Sequence, residues 1–389
     1  MNDLESQQHG VNNSSFCVRP FVHSLVETDG TFKPCCRANL SNTKFVGKVE
    51  YNINSDPVSQ WWTSDYMNYL RSSMLSGVPL DECSRCYKQE SMGSLSFRQR
   101  SNNDFGIITK PDAVPRNWEM QITNLCNLKC MMCNNKSSSS LMTENILLFG
   151  SPDTQKKYTW NQSSQQEIAK LFDTLDSVVL RGGEPFMVPW IKDILEQVPD
   201  SRARQIEILF NTNLTKLTVD WIPVLSKFKN IKMSCSIDAY GSLLHYVRFP
   251  STWEQVLEGL AVARMLPNAN VFLNVCVQNV NILHLDKLLE WANKENLYVV
   301  LDILTEPKIF QVNNLPQPLI QQALSVLENV KNKINTDLVG NLDGVINALH
   351  SDTTPELWNK FLEHVTVKDQ HRNISIAKEI PELQEYINA

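Results

Sequence analysis

From residue 117 onward, short β-prone runs alternate with segments of helical periodicity, and this alternation narrows the folds open to the chain more than any other feature. The runs fall near 117–123, 176–181, 206–210, 231–237, 271–277 and 298–304, and the helical stretches between them include 164–175, 188–198, 219–228, 253–265 and 283–293. A strand, a helix and a further strand form the crossover unit of a parallel sheet. Six such units predict an α/β fold, either an open sheet or a partial (β/α)6 barrel. In both, ligands bind where the βα loops gather at the C-terminal strand ends.

The turn-rich segment 107–116, with Pro111 and Pro115 close together, marks a boundary ahead of these units. The expected organisation is a small cysteine-rich α+β domain over 1–110, the partial barrel of parallel strands over 111–310 and a helical C-terminal segment over 311–389, punctuated by Pro355 and Pro381. Residues 1–15 are polar and no run approaches the roughly 20 apolar residues of a membrane span, so the expectation is a cytoplasmic protein with no membrane partner. The 36 Lys and Arg against 42 Asp and Glu give a net charge of −6 without a long run of one sign. Nucleic acid is therefore an unlikely partner.

Ten cysteines in a chain without a secretion signal point to metal or redox chemistry in place of disulfides. Cys17, Cys35, Cys36, Cys83 and Cys86 precede residue 90, Cys126, Cys130 and Cys133 cluster later, and Cys235 and Cys276 are isolated. Two metal sites are the natural reading. The later three follow the first barrel strand within eight residues, so their thiolates converge from a single loop. Iron-sulfur clusters usually take four protein ligands, and a three-thiolate site leaves one iron open to activate a ligand. Zinc is the alternative, although three thiols in one turn without a local histidine suit it poorly.

The spacing C-x3-C-x2-C, with apolar Met132 before the last cysteine, resembles the signature of the radical S-adenosylmethionine superfamily. The second strand ends in Gly182-Gly183-Glu184-Pro185, similar to the family's motif for the amino group of the methionine part. Glycines there allow close backbone approach, and the Glu184 carboxylate is suited to pair with an ammonium. Asn211-Thr212-Asn213 follows strand three. Ser236-Ile237-Asp238 ends strand four in a position resembling the family's ribose and carboxylate contacts. Arg248 either pairs with the cofactor carboxylate or is a solvated surface arginine. On strand five Asn274, Cys276 and Gln278 share one face. Gln278 is grouped with the cofactor contacts. Cys276 is the candidate catalytic residue, touching adenine or giving a hydrogen atom to a substrate radical, unless it is a buried inert thiol.

The resemblance implies a [4Fe-4S] cluster on Cys126, Cys130 and Cys133, with S-adenosylmethionine bound to it and an electron donor such as flavodoxin or ferredoxin. Reductive cleavage of the cofactor would yield a 5'-deoxyadenosyl radical that abstracts a substrate hydrogen.

Before the barrel, Gly30-Thr31-Phe32-Lys33-Pro34-Cys35 and Cys83-Ser84-Arg85-Cys86 resemble the Gly-x4-Cys hairpin and Cys-x2-Cys pair of Twitch and SPASM auxiliary-cluster modules, which in relatives follow the barrel. On that likeness Cys17, Cys35, Cys83 and Cys86 hold a second [4Fe-4S] cluster, with Cys36 as a substitute for Cys35 and structural zinc as the alternative metal. Trp61, Trp62, Tyr66 and Tyr69 read as the small domain's core or as a partner-binding surface. Glu90, Ser96, Arg98 and Arg100 read as a flap over the barrel mouth or as an exposed connector. Asp369, His371 and Arg372 read as a solvated helix face or a substrate contact.

The resulting expectation is an enzyme that oxidises, epimerises or cross-links a peptide. The alternative is an oxidoreductase or epimerase acting on a small molecule such as a sugar or nucleotide. A non-catalytic metal scaffold is a third class, which formation of any 5'-deoxyadenosine would exclude. No segment offers a cobalamin-sized extra domain.

Overall fold

The computed structural model describes residues 14–91, 93, 95–150, 160–352 and 354–387. Its strands are β1 (His23–Val26), β2 (Phe32–Lys33), β3 (Asn117–Gln121), β4 (Ser177–Arg181), β5 (Glu207–Thr212), β6 (Asn230–Cys235), β7 (Ala269–Val277), β8 (Tyr298–Ile303) and β9 (Val339–Gly340). They are hydrogen-bonded in the order β2-β1-β3-β4-β5-β6-β7-β8-β9. All six expected strands form, as β3 to β8, with helices such as Gln162–Leu171, Pro189–Gln197, Trp253–Arg264 and Leu285–Lys294 between them. This is the mostly parallel sheet of a partial barrel, preceded by a small domain and followed by helices. By compactness the chain divides into Met1–Thr123 with Tyr158–Gly182 and Asp193–Ile208, and Asn124–Lys157 with Gly183–Lys192 and Leu209–Ala389.

In the first unit, β1 pairs in parallel with β3, placing His23 beside Asn117 and Val26 beside Met120. The N-terminal segment therefore supplies a barrel-side strand that a four-residue run, His23-Ser24-Leu25-Val26, is too short to announce. β1 turns back through residues 27–31 into antiparallel β2. Gly30 takes φ +89° in that turn, a conformation that favours glycine, and a Cβ there would also displace the Asn52 side chain, whose Oδ1 it would meet at 2.6 Å. Trp61, Trp62 and Tyr66 are at most 1% exposed, with Trp61 stacked on Phe32 at 5.7 Å between centroids. These aromatics are core, as volume and burial favour.

In the second unit, β6, β7, β8 and β9 pair in parallel. Alternation sorts the strand residues onto two faces. Leu273, Val275 and Val277 of β7 and Val299 and Leu301 of β8 are buried on one face. Asn274 and Cys276 point to the other, where Cys276 stands opposite Asp302. After β8 come helices Gln317–Lys331, Leu342–Leu349 and Pro355–Arg372, followed by the shorter Ile376–Glu379 and Gln384–Ile387.

Candidate active site

Three thiols lie on the loop that follows β3, and its backbone is pinned between them. Lys129 N–H donates to the Phe249 carbonyl (2.6 Å) and Met131 N–H to the Val247 carbonyl (2.9 Å). The Ser138 and Ser140 hydroxyls donate to the carbonyls of Leu128 and Cys126, each at 2.7 Å. Leu128 and Met131 are each 2% exposed, which anchors the segments between the cysteines. Burial pushes all three thiols up, Cys133 to about 12, and each is raised further by another thiol or a nearby carboxylate. Arg248 opposes this at Cys130 and Cys133. Its Nη1 lies 3.9 Å from Cys130 Sγ.

The Gly182-Gly183-Glu184-Pro185 turn is built by close backbone approach. A Cβ on Gly182, at φ +133°, would meet the Thr123 carbonyl oxygen at 2.4 Å, and one on Gly183 would meet the Leu125 oxygen at 2.1 Å. Glu184 N–H donates to that same Leu125 carbonyl (2.8 Å). The glycines thus let the turn dock on the residues leading into the cysteine loop. The Glu184 side chain departs from the expected ammonium partner. It is wholly buried and accepts from the Thr212 hydroxyl (2.7 Å), Asn213 N–H (2.8 Å) and Phe186 N–H (3.2 Å). Burial, resisted by these donors, pushes its carboxyl up to about 7. Pro185 opens a 3-10 turn whose Phe186 stacks on Phe210 at 4.9 Å.

The remaining strand-end residues fall into two groups. Asn213 joins the cysteine loop, with Nδ2 3.9 Å from Cys126 Sγ and 3.2 Å from Asn127 Oδ1. Asn211 and Ser236 are half-buried, and Ser236 N–H donates to the Thr212 carbonyl at 2.8 Å. Arg248 is not a solvated surface arginine. Its side chain is 12% exposed and Nε lies 2.7 Å from Asp238 Oδ2, an ion pair off the hydrogen-bonding direction. Each partner stabilises the charge of the other, while burial acts against both. Asp238 Oδ1 accepts from Cys276 N–H at 2.8 Å, so the pair is fastened to β7. Burial holds the Cys276 thiol far above its ordinary range. Asn274 Oδ1 and Gln278 Oε1 are buried without a hydrogen-bond partner among the described residues. Two unmet acceptors on the face that carries Cys276 suit a ligand with N–H or O–H donors.

Glu144 and Lys368 escape sequence reading, and Arg372 takes surroundings that its place in a charged group did not reveal. Arg372, at the end of helix Pro355–Arg372, donates from Nε to Glu144 Oε1 (3.0 Å) and from Nη2 to Glu144 Oε2 (2.6 Å) and the Lys129 carbonyl (2.7 Å). Lys368 Nζ donates to Glu144 Oε2 at 3.0 Å. Arg372 is therefore not on a solvated helix face. The available signals were Glu144 as the charged residue of the otherwise uncharged helix Ser139–Phe149 and the i,i+4 spacing of Lys368 and Arg372.

In the N-terminal unit Cys17, Cys35, Cys83 and Cys86 line one cavity with Arg19, Arg37 and Arg98, about 300 Å3 of space with solvent included. Burial raises Cys17 and Cys35 to about 11, and the Cys83 thiol is raised further by Cys35, Cys17 and Cys86. Cys36 does not line this cavity. Its thiol, pushed up to about 12, is influenced after burial chiefly by Glu119. Arg98 is braced by Glu90 (Nη2 to Oε2, 2.6 Å) and donates to the Phe16 carbonyl beside Cys17 (2.5 Å). Ser96 caps the helix Phe97–Phe105. These contacts brace Glu90, Ser96 and Arg98 within the small domain. Among the described residues no three His, Cys, Asp or Glu side chains close on a single metal position.

The family model of the radical SAM superfamily matches residues 120–292. The AdoMet-dependent heme synthase of Methanosarcina barkeri (strain Fusaro / DSM 804) is 26% identical over 182 residues, 46% of this chain and 48% of that protein. The chain thus spans about half the length of the relative it matches. Among solved structures, native anSMEcpe with bound AdoMet is similar at TM-score 0.41 and 15% identity, over 56% of this chain and 59% of that one. Native anSMEcpe with bound AdoMet and Cp18Cys peptide is similar at TM-score 0.40 and 13% identity, over 56% and 58%.

Proposed function

We propose, from the match of residues 120–292 to the radical SAM superfamily model, that the chain is an enzyme of that superfamily that cleaves S-adenosylmethionine reductively and modifies a peptide by hydrogen abstraction. The observation that carries this reading is the pinning of the Cys126, Cys130 and Cys133 loop beside the Gly182-Gly183 turn. Three thiols with cationic Arg248 close by form a donor set suited to a cluster with one open iron. Bound there, a [4Fe-4S] cluster would supply the electron that cleaves the cofactor and so generates the 5'-deoxyadenosyl radical.

The chain's own residues would then bind and orient. The backbone of Gly182 and Gly183 would receive the methionine part, with Glu184 serving the turn from within. Asn211, Ser236 and Gln278 would contact the nucleoside. Arg248, held by Asp238, would offset charge near the cysteine loop. Cys276, its thiol kept protonated by burial, would face the substrate.

We read Cys17, Cys35, Cys83 and Cys86 as holding a second cluster, with Arg19, Arg37 and Arg98 offsetting thiolate charge; structural zinc is the alternative. An electron donor of the flavodoxin or ferredoxin type would reduce the protein. The resemblance of the N-terminal cysteines to modules common among peptide-modifying relatives favours a peptide substrate. The likeness to a heme synthase favours the second reading, a small-molecule substrate.

Anaerobic purification followed by iron, sulfide and zinc analysis tests the assignment. About eight irons falling to about four on changing Cys126, Cys130 and Cys133 to Ala supports two clusters, whereas about four falling to none with one zinc retained makes the N-terminal site structural. Absence of iron from both proteins after reconstitution, or of 5'-deoxyadenosine under reducing conditions, overturns the enzyme reading. A peptide that copurifies and gains or loses mass on turnover separates the two substrate classes.

A further inference from the structure

The guanidinium of Arg372 reaches both segments that separate the three cysteines. Nη2 donates to the carbonyl of Lys129, between Cys126 and Cys130. Nη1 lies 3.2 Å from the sulfur of Met131, between Cys130 and Cys133. The Phe249 ring, whose carbonyl holds Lys129 N–H, lies 4.9 Å from the guanidinium carbon. We propose that Arg372 is a positioning residue for the three-cysteine loop, locked in place by Glu144, so that helix Pro355–Arg372 fixes the loop's geometry and electrostatics. The proposal rests on the reading that this loop carries the cluster.

Burial makes the arrangement costly unless the loop completes it. The side chains of Arg372 and Lys368 are each 1% exposed and that of Glu144 is 0% exposed. Two buried cations share one carboxylate, which also has Lys129 Nζ at 3.6 Å and His371 Nε2 at 3.9 Å, so positive charge is concentrated in a site where isolated charge is strongly disfavoured. The loop meets this charge with the Lys129 carbonyl and the Met131 sulfur, both turned toward the guanidinium. A purely structural anchor would be served as well by apolar side chains of similar volume. What a guanidinium adds is a planar fork that satisfies Glu144 on one edge and still donates to the loop backbone.

The variants Arg372→Gln and Arg372→Lys separate positioning from simple packing. Gln leaves Glu144 paired with Lys368, so no buried charge is orphaned, while Lys keeps the charge and loses the fork. In the metal-free full chain, hydrogen exchange of amides 127–133 should accelerate about tenfold in both variants, with the β7 amides 273–277 unchanged. In the iron-loaded protein, the cluster's midpoint potential should fall in the Gln variant and stay close to wild type in the Lys variant, because loss of nearby positive charge disfavours the added electron. Unchanged loop exchange in two folded variants overturns the proposal, as does a potential unmoved in the Gln variant. If Arg372→Gln does not fold, Arg372→Lys decides the matter by exchange alone. If wild type takes up no iron, the cluster reading fails, whereas accelerated loop exchange in the variants still upholds the positioning role.

Discussion

The Thr212 hydroxyl donates to Glu184 Oε1 at 2.7 Å, fastening the glycine turn to the end of β5. With Asn213 N–H on Oε2, the carboxylate has a donor on each oxygen and no exposure to water. Burial nonetheless dominates and raises its pKa to about 7. A carboxyl whose folded pKa exceeds its unfolded value of about 4.3 binds protons more tightly when folded, so its contribution to stability is greatest below that lower pH and declines as pH rises toward 7. The decline from this one group is at most about 4 kcal/mol. Urea unfolding at pH 5 and pH 7.5 should show a smaller pH dependence in Glu184→Gln than in wild type. Equal dependence in the two proteins would remove Glu184 as its source.

Gly183→Ala should be among the most damaging single-methyl additions in the chain. The new Cβ would lie 2.1 Å from the Leu125 carbonyl oxygen, a backbone atom that cannot swing aside as a side chain can. Relieving the clash means separating the turn from the residues leading to Cys126, at a cost of about 1–3 kcal/mol or more. Thermal melting of the metal-free protein reads that loss directly. A melting temperature within one degree or so of wild type would show that the two backbones are free to part.

The legible parts of this molecule were those in which periodicity or spacing carries the signal. Six strands followed from alternation, and the cysteine loop followed from Cys126, Cys130 and Cys133. β1 escaped because His23–Val26 is four residues long and joins the sheet only through a partner some ninety positions away. The surroundings of Arg248 and Arg372 escaped for a different reason. A charged residue reads as solvated until its carboxylate is known, and Asp238 and Glu144 reach these arginines from other elements of the fold. The three donors around Glu184 escaped as well, because Thr212 and Asn213 reach it from the end of another strand.

Asp238→Asn should cost about 3–5 kcal/mol, the range for breaking a buried ion pair from one side. The substitution keeps the volume and an acceptor for Cys276 N–H, yet leaves the Arg248 guanidinium without its counter-charge in a site 12% exposed. Because the loss is one of charge balance, the double variant Asp238→Asn with Arg248→Met should recover part of it. Denaturant midpoints of the two single variants and the double close the cycle. A double variant no more stable than Asp238→Asn would argue that Asp238 acts through β7 and not through Arg248.

Cys35 and Cys36 offer the sharpest contrast because they are adjacent in sequence and differ in surroundings. Cys35 lines the cavity with Cys17, Cys83 and Cys86, whereas the thiol of Cys36 is influenced by Glu119 and Arg181. A ligand must be able to share a metal with the other thiols, so Cys35→Ser should abolish metal binding at the N-terminal site and Cys36→Ser should leave it intact. The measurement is best made in a background with Cys126, Cys130 and Cys133 changed to Ala, where any iron or zinc retained belongs to the N-terminal cysteines. Metal lost from Cys36→Ser and kept in Cys35→Ser would mean that the hairpin reorganises on loading. Loss from both would make Cys36 a participant in holding the metal despite its place outside the cavity.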